Sequence, residues 1–438
     1  MSQVSGRQTI FALSSGKLPS GVAVIRVSGP NVSAVVSQLC GVLPVPRRAT
    51  LNKLVAADGR VLDEGLVLWF PAPHSFTGED CAEFQCHGGP AVVAALLREL
   101  GSIEGCRLAD AGEFSLRAFT NGKADLTQME SLADLIDAET ESQRVLAMAG
   151  ATGAFRALYE GWRTELLKAR AYLEADLDFS DEDDVPGSVA SAANAVVVNL
   201  IDELEAYLKT ARIGEIIREG FRVVIAGAPN VGKSTLLNTL AKRDVSIVTD
   251  VAGTTRDVME VSLNLGGVKV VISDTAGLRD TADPVEKIGI ERAYSAMEAS
   301  DLVLMLSQTE PDIVERSAPV WHVRTKSDNS EILPDGFDYL ISCNTGFGIN
   351  LLTNAISLLA RQAIGKAGEG ELVTRSRHVA LLDNAVLALK RFNLSSSKGP
   401  EFAAEELRVA SECLGRITGM ISTEDVLGEI FSSFCIGK

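Results

Sequence analysis

The chain has 438 residues, 46% of them hydrophobic, and a formal net charge of −17. That length exceeds one ordinary core and predicts two or three domains. The acidic balance excludes a protein that coats nucleic acid by general phosphate attraction, though it leaves room for a local basic site.

Taken from the N-terminus, residues 1–117 mix β-rich runs (21–27, 61–70) with a helical one (90–101) and predict a compact α+β domain. Residues 10–13 are the one apolar patch near the start, so no signal peptide is expected. No apolar run is long enough to cross a bilayer, so no membrane insertion is expected either. The seven cysteines form no ligand-like pair or disulfide framework, which fits a reducing cytoplasm. Cys86 and His87 are adjacent, a poor ligand set that reads as a turn with packed side chains. His74, His322 and His378 stand alone and read as structural or exposed. From 118 to 215 the chain is helical, with apolar residues three and four apart over 126–148, 155–177 and 189–213. The acidic stretch 176–184, followed by Val185-Pro186-Gly187, reads as a solvated loop that breaks two of these helices.

Residues 216–365 carry the chemistry. Gly227-Ala228-Pro229-Asn230-Val231-Gly232-Lys233-Ser234 is a complete G-x-x-x-x-G-K-[ST] phosphate loop. It follows a buried-strand run (221–226) and leads through Thr235 into a helical run, the context the motif requires. Lys233 supplies positive charge to the outer phosphates, and the Ser234 hydroxyl can ligate Mg2+. The stretch Val248-Thr249-Asp250-Val251-Ala252-Gly253-Thr254-Thr255-Arg256-Asp257 sits where a first switch loop belongs, with Thr255 as a second Mg2+ ligand. Asp274-Thr275-Ala276-Gly277 follows another strand run. Asp274 is placed to reach Mg2+ through water, and the Gly277 amide to sense the γ-phosphate. Thr325-Lys326-Ser327-Asp328 and Ser342-Cys343-Asn344 follow two more runs. Asp328 can accept from both N1 and the 2-amino group of guanine, which predicts GTP over ATP. Thr325 stands where Asn is usual, so a weaker bond to guanine N7 and a weaker tether to the phosphate loop are expected. Leu278 occupies the position that often holds a water-positioning Gln. Help for the attacking water must then come from Arg256, Arg279, Asp280 or Glu286. The Asn230 side-chain carbonyl, with backbone carbonyls of the switch loop, can hold a monovalent cation that offsets charge growing on the leaving phosphate.

The remaining residues, 366–438, are helical over 377–393 and 401–417, with a last helix or turn at 423–434. Helices on both sides of 216–365 predict one helical domain, 118–215 with 366–438, into which the nucleotide domain is inserted. The ending Cys435-Ile436-Gly437-Lys438 is not a prenylation box, since a final Lys is not among its usual residues. The expected fold is thus multidomain α/β: an N-terminal α+β domain, a helical bundle and an inserted P-loop domain with a mainly parallel sheet.

Several strings together resemble one family. They are Gly21-Val22-Ala23-Val24-Ile25-Arg26-Val27-Ser28, Phe76-Thr77-Gly78-Glu79-Asp80, Gln85-Cys86-His87-Gly88-Gly89-Pro90 and Gly112-Glu113-Phe114. Arg117-Ala118-Phe119-Thr120-Asn121-Gly122-Lys123, Asp250 through Asp257, Asp274 through Arg279 and the tail Phe434-Cys435-Ile436-Gly437-Lys438 complete the set. Over essentially its whole length the chain is similar to the MnmE (TrmE) family of tRNA-modification GTPases. That resemblance implies a folate-binding-like N-terminal domain that also joins a homodimer. Arg26, Glu83, Lys123 and Lys438 would contact a tetrahydrofolate derivative, 5,10-methylene or 5-formyl. It implies K+ bound by Asn230, Thr249, Val251 and Thr254, Mg2+ bound by Ser234 and Thr255, and Glu286 orienting the hydrolytic water. Asn230 and Lys233 would join Glu286 in hydrolysis, and Cys435 would lie near the folate. The implied partner is the FAD-containing protein MnmG (GidA), in a heterotetramer. Together they would add an aminomethyl or carboxymethylaminomethyl group at carbon 5 of the wobble uridine of certain tRNAs. The competing expectation is a GTP-dependent interaction switch such as a ribosome-assembly factor, which has no use for a folate pocket.

Overall fold

Strand alternation accounts for the first sheet. In β2 (Ser20–Ser28), Ala23, Ile25 and Val27 are buried while Val24 and Arg26 face the other way; in β5 (Cys81–Gly88), Ala82, Phe84 and Cys86 do the same. The computed structural model describes residues 8–178, 188–242, 246–247, 260–274, 295–311, 318–328, 332–365, 372–373, 375–394, 400–421, 424–432, 434 and 437. It divides into two compact units, Met1–Ala133 with Gly415–Lys438, and Asp134–Leu414.

In the first unit, β1 (Thr9–Leu13), β3 (Thr50–Val55), β4 (Val61–Phe70) and β6 (Cys106–Leu108) join β2 and β5 in the order β3-β4-β5-β2-β1-β6. All neighbours are antiparallel except β1 and β6. Helices α1 (Val32–Cys40) and α2 (Pro90–Ser102) cover one face. Val32, Val35, Val36 and Leu39 from α1, and Val93, Leu96 and Leu100 from α2, close the core over Ile25 and Phe84. Pro90 starts α2 because a first helical position needs no N–H donor. A second cluster joins Ala118 of α3 (Glu113–Thr120), Leu126 and Met129 of α4 (Leu126–Ile136) and Phe431 of the helix Glu424–Ser432. On the open face of the sheet, Val22, Leu51 and Leu66 are 58%, 63% and 39% exposed.

The second unit begins at Asp134, near the end of α4. Residues 126–148, a single periodic run in the sequence, form α4 and then α5 (Glu141–Ala151), not one helix. The break is chemical: the Thr140 hydroxyl accepts the Gln143 amide at 3.4 Å, and the Gln143 side chain accepts the Thr140 amide at 3.1 Å. That reciprocal cap starts a new helix inside an unbroken apolar pattern. The run 189–213 likewise divides, into α7 (Ser188–Leu208) and α8 (Ala211–Glu219). α6 (Ala154–Asp178) packs on α7, and α7 on the helix Ser376–Leu394, so helices from before and after the second sheet meet. At this meeting Tyr159, Trp162, Tyr207 and His378 are buried together, which makes His378 a core histidine.

The second sheet comprises β7 (Phe221–Gly227), β8 (Ser246–Ile247), β9 (Glu260–Leu265), β10 (Val268–Asp274), β11 (Leu302–Ser307), β12 (Val320–Arg324) and β13 (Tyr339–Leu340). Their order is β13-β12-β11-β7-β10-β9-β8. The run from β13 to β10 is parallel, and β9 and β8 are antiparallel additions at one edge. The sheet is mainly parallel, as the sequence implies. In such a sheet ligands bind beyond the carboxyl ends of the strands, where the loops after β7, β12 and β13 lie. Among the described residues no helix is long and apolar enough to cross a membrane.

Candidate functional site

The phosphate loop runs from the end of β7 to the start of α9 (Lys233–Ala241). Gly227 has φ 137°, and a Cβ there would collide with the Leu306 carbonyl of neighbouring β11, so the strand exit demands glycine. Gly232, at φ 112°, precedes the helix, whose N-terminus favours an anion. The buried Lys233 ammonium donates to the carbonyls of Gly227 at 2.9 Å and Ala228 at 3.0 Å, which puts positive charge within the loop. Ser234 Oγ donates to Asp274 Oδ2 at 2.7 Å, and Asp274 is 3% exposed at the end of β10. A hydroxyl and a carboxylate in contact form a hard oxygen pair suited to Mg2+. Thr235 follows, exposed on the first turn of α9.

The loop is braced from the segment that follows β12. Asn230 is exposed and left-handed, with φ 62°, and its carbonyl accepts Lys326 Nζ at 3.0 Å. Thr325 Oγ1 donates to the Val231 carbonyl at 2.6 Å in a buried contact. The threonine therefore makes the tether to the phosphate loop with its hydroxyl. Asp328 is oriented by the loop after β13: it accepts from Ser342 Oγ, and from Asn344 Nδ2 at 3.3 Å. The Ser327 amide donates to the Ile341 carbonyl at 3.2 Å, which fixes the two loops together. Burial pushes the Cys343 thiol above its ordinary value, and the Asp328 charge adds to that. The structure thus brings together Asn230, Val231, Gly232, Lys233, Ser234 and Asp274 on one side and Thr325, Lys326, Ser327, Asp328, Ser342, Cys343 and Asn344 on the other. Thr249, Asp250, Val251, Ala252, Gly253, Thr254, Thr255, Thr275, Ala276, Gly277, Leu278 and Glu286 lie outside the described residues, as do Arg256, Arg279 and Asp280.

A second constellation occupies the first unit. Arg26 and Glu83 face each other across β2 and β5, and Arg26 Nε and Nη2 both donate to Glu83 Oε1, at 3.1 and 3.0 Å. Each side chain is 22% exposed. The guanidinium lies 4.9 Å from the Phe76 ring centre and 5.8 Å from that of Phe114, both favourable cation–π distances. Lys123 reaches the same loop, donating to the Pro73 carbonyl at 3.0 Å. The buried Gly437, φ 96°, accepts from Ser14 Oγ through its carbonyl; the Ser14 amide in turn donates to Val24, two residues from Arg26. Cys435 and Lys438 lie outside the described residues.

Sequence reading gave no role to the ion network beneath this face. Arg117 Nη1 meets Glu79 Oε2 at 2.9 Å and its Nη2 meets Glu113 Oε1 at 2.8 Å, while Arg107 grips Glu113 at 2.7 Å with two nitrogens. Ser28 Oγ donates to Glu79 at 2.9 Å. The signal in the sequence was polar residues within the shared strings, but their pairing needs the fold. Cys86 is buried, and that burial raises its thiol to about 11, which disfavours a nucleophile; His87 instead bonds Asp63 at 2.8 Å.

Two family models match the chain: one described as MnmE helical domain, over residues 126–435, and one described as GTP-binding protein TrmE N-terminus, over residues 9–123. The tRNA modification GTPase MnmE of Brucella anthropi is 49% identical over 443 residues, covering 100% of both chains. That of Brucella canis is 50% identical over 443 residues, again with 100% of both covered. Among solved structures, the G domain of the T. maritima FeoB iron transporter is similar at 26% identity and a TM-score of 0.25, covering 32% of this chain and 98% of that one.

Proposed function

The chain belongs to the MnmE (TrmE) family of tRNA-modification GTPases, and we propose that its GTP hydrolysis is K+-stimulated and drives one-carbon modification of the wobble uridine. In this reading the protein acts in the cytoplasm as a homodimer. With an FAD-containing partner it adds an aminomethyl or carboxymethylaminomethyl group at carbon 5, drawing the carbon from a tetrahydrofolate derivative. Residues 1–117 form the folate-binding and dimerisation domain, and 216–365 form a G domain inserted between helical parts 118–215 and 366–438.

The observation that carries the one-carbon reading is the half-buried Arg26–Glu83 pair under Phe76, with Gly437 anchored beside the same strand. A flat heterocycle with amide-like edges suits a guanidinium, a carboxylate and an aromatic ring set side by side. Lys438 follows Gly437 directly and would add a cation there. The uncovered apolar residues Val22, Leu51 and Leu66 support a second copy on the open sheet face. In the G domain, Lys233 would neutralise charge on the outer phosphates, Ser234 with Asp274 would hold Mg2+, and Asp328 would read guanine. Mg2+, when bound, supplies charge neutralisation between the phosphates. Asn230 would hold K+ with Thr249, Val251 and Thr254, and Glu286 would orient water.

The direct test is nucleoside analysis of tRNA from cells lacking the protein. Wobble uridines should lose their carbon-5 substituent, and restoring the gene should return it. Wobble uridines that keep their carbon-5 substituent in cells lacking the protein would leave only the switch reading.

A further inference from the structure

We infer that the folate-facing loop of residues 73–78 is the receptor for the oligoglutamate tail of the one-carbon donor, with Arg47 and Lys123 as its two anchoring cations. The inference rests on the one-carbon reading of the Arg26–Glu83 site and extends that site to a residue outside every shared string.

Three cations surround this one loop. Arg26 lies against Phe76 and is neutralised by Glu83. Lys123 lays its stem along Gly78, where a Cβ would sit 3.2 Å from its Cγ, and its ammonium reaches the Pro73 carbonyl at 3.0 Å. Arg47 donates from Nη2 to the next carbonyl, that of His74. Consecutive carbonyls thus hold two cations side by side, and both residues are exposed. The backbone sets Arg47 there: its φ is 60°, and its amide donates to the Trp69 carbonyl at 2.8 Å.

The two acids that follow the loop make other contacts. Glu79 accepts from Arg117 and Ser28, and Asp80 accepts the Ala72 amide at 2.8 Å. Among the described residues, neither Arg47 nor Lys123 has a carboxylate within ion-pair distance. An arginine has five N–H donors and a lysine three, and the loop carbonyls take one of each. On a chain of net charge −17, two exposed cations with no carboxylate partner among the described residues favour an anion. A string of carboxylates spaced along a flexible chain matches two cations on adjacent carbonyls. Such a tail would run past the loop of residues 73–78, whose carbonyls hold both cations.

The test uses the full chain and compares binding of 5-formyltetrahydrofolate carrying one glutamate with the form carrying five. The longer form should bind about fivefold tighter at low salt, and the gap should close at about 0.5 M salt, because exposed pairs are weak and screened. Arg47→Gln should remove most of the gap without lowering the melting temperature, and Arg47→Lys should keep part of it. Equal affinity for the two forms, with both bound, overturns the tail assignment alone. No saturable binding of either form overturns the one-carbon reading beneath it. If Arg47→Gln weakens tRNA binding while the gap persists, the patch serves RNA phosphates and the assignment falls. The salt response of the unaltered protein decides the matter even if a variant folds poorly.

Discussion

Thr325 shows how a single side chain can depart from a motif and keep its task. Asparagine at that position would offer an amide; threonine offers one hydroxyl, and it is spent on the buried Val231 carbonyl at 2.6 Å. A buried carbonyl left without a donor costs about 1–3 kcal/mol. Thr325→Val should therefore weaken GTP binding roughly five- to a hundredfold, while Thr325→Ser, which keeps the hydroxyl, should stay close to the unaltered protein. Titration with a fluorescent guanine nucleotide measures both, and equal affinities for all three would mean that the tether does not order the loop. Asp328 can be named from the sequence as a candidate base reader because its chemistry is local to one motif. The sequence left the tether in doubt because whether a hydroxyl reaches residue 231 depends on how β12 sits beside the phosphate loop, which no spacing encodes.

Elements were legible where one periodicity ruled and illegible where two signals competed. β2, β5 and β7 stand out as apolar or alternating runs, and the strand–loop–helix around Gly227 follows from its glycines. The single run over 126–148 hid the Thr140–Gln143 cap, since the apolar spacing continues across the break. The charged network that ties β2, the 77–79 loop and α3 was also hidden, because its partners lie 38 residues apart along the chain in the case of Arg117 and Glu79. It has a measurable consequence in acid. Burial would raise the Glu113 carboxyl, but hydrogen bonds from Arg107, the Asp110 amide and Arg117 outweigh it and hold the group below its ordinary 4.5. A depressed carboxyl stabilises the fold fully above that ordinary value and loses its contribution as pH falls through the lower, folded value. Urea midpoints should accordingly decline below about pH 4.5, and Glu113→Gln should flatten that acid limb while lowering stability at neutral pH. Arg117→Met, which strands Glu79 in a site only 9% exposed, should cost about 3 kcal/mol. An acid limb unchanged in Glu113→Gln would assign the decline to other carboxylates.

At the scale of the molecule, the nucleotide loop and the apolar sheet face bear on one question: whether hydrolysis is a property of one chain or of two. Leu278 stands where a water-positioning glutamine is common, so the chain lacks that help from its own second switch. The phosphate loop offers a replacement. Asn230 is held left-handed with its carbonyl bonded to Lys326, which fixes the residue while its side chain stays exposed. A monovalent ion at that side chain would place positive charge beside the breaking bond, a contribution that elsewhere comes from an arginine. Turnover should then rise roughly tenfold when Na+ is replaced by K+, and Asn230→Ala should abolish most of the increase while GTP binding in Na+ changes little. If the ion also closes one G domain on another, turnover per chain in K+ should climb with protein concentration in a chain whose open sheet face carries Leu51→Glu and Leu66→Glu. On the proposed pairing through that face, the unaltered protein should show no such dependence. Steady-state hydrolysis across a hundredfold range of protein in the two salts separates these cases. Equal rates in Na+ and K+ would remove the ion from the mechanism, and a K+ response independent of concentration in the double variant would confine it to a single chain.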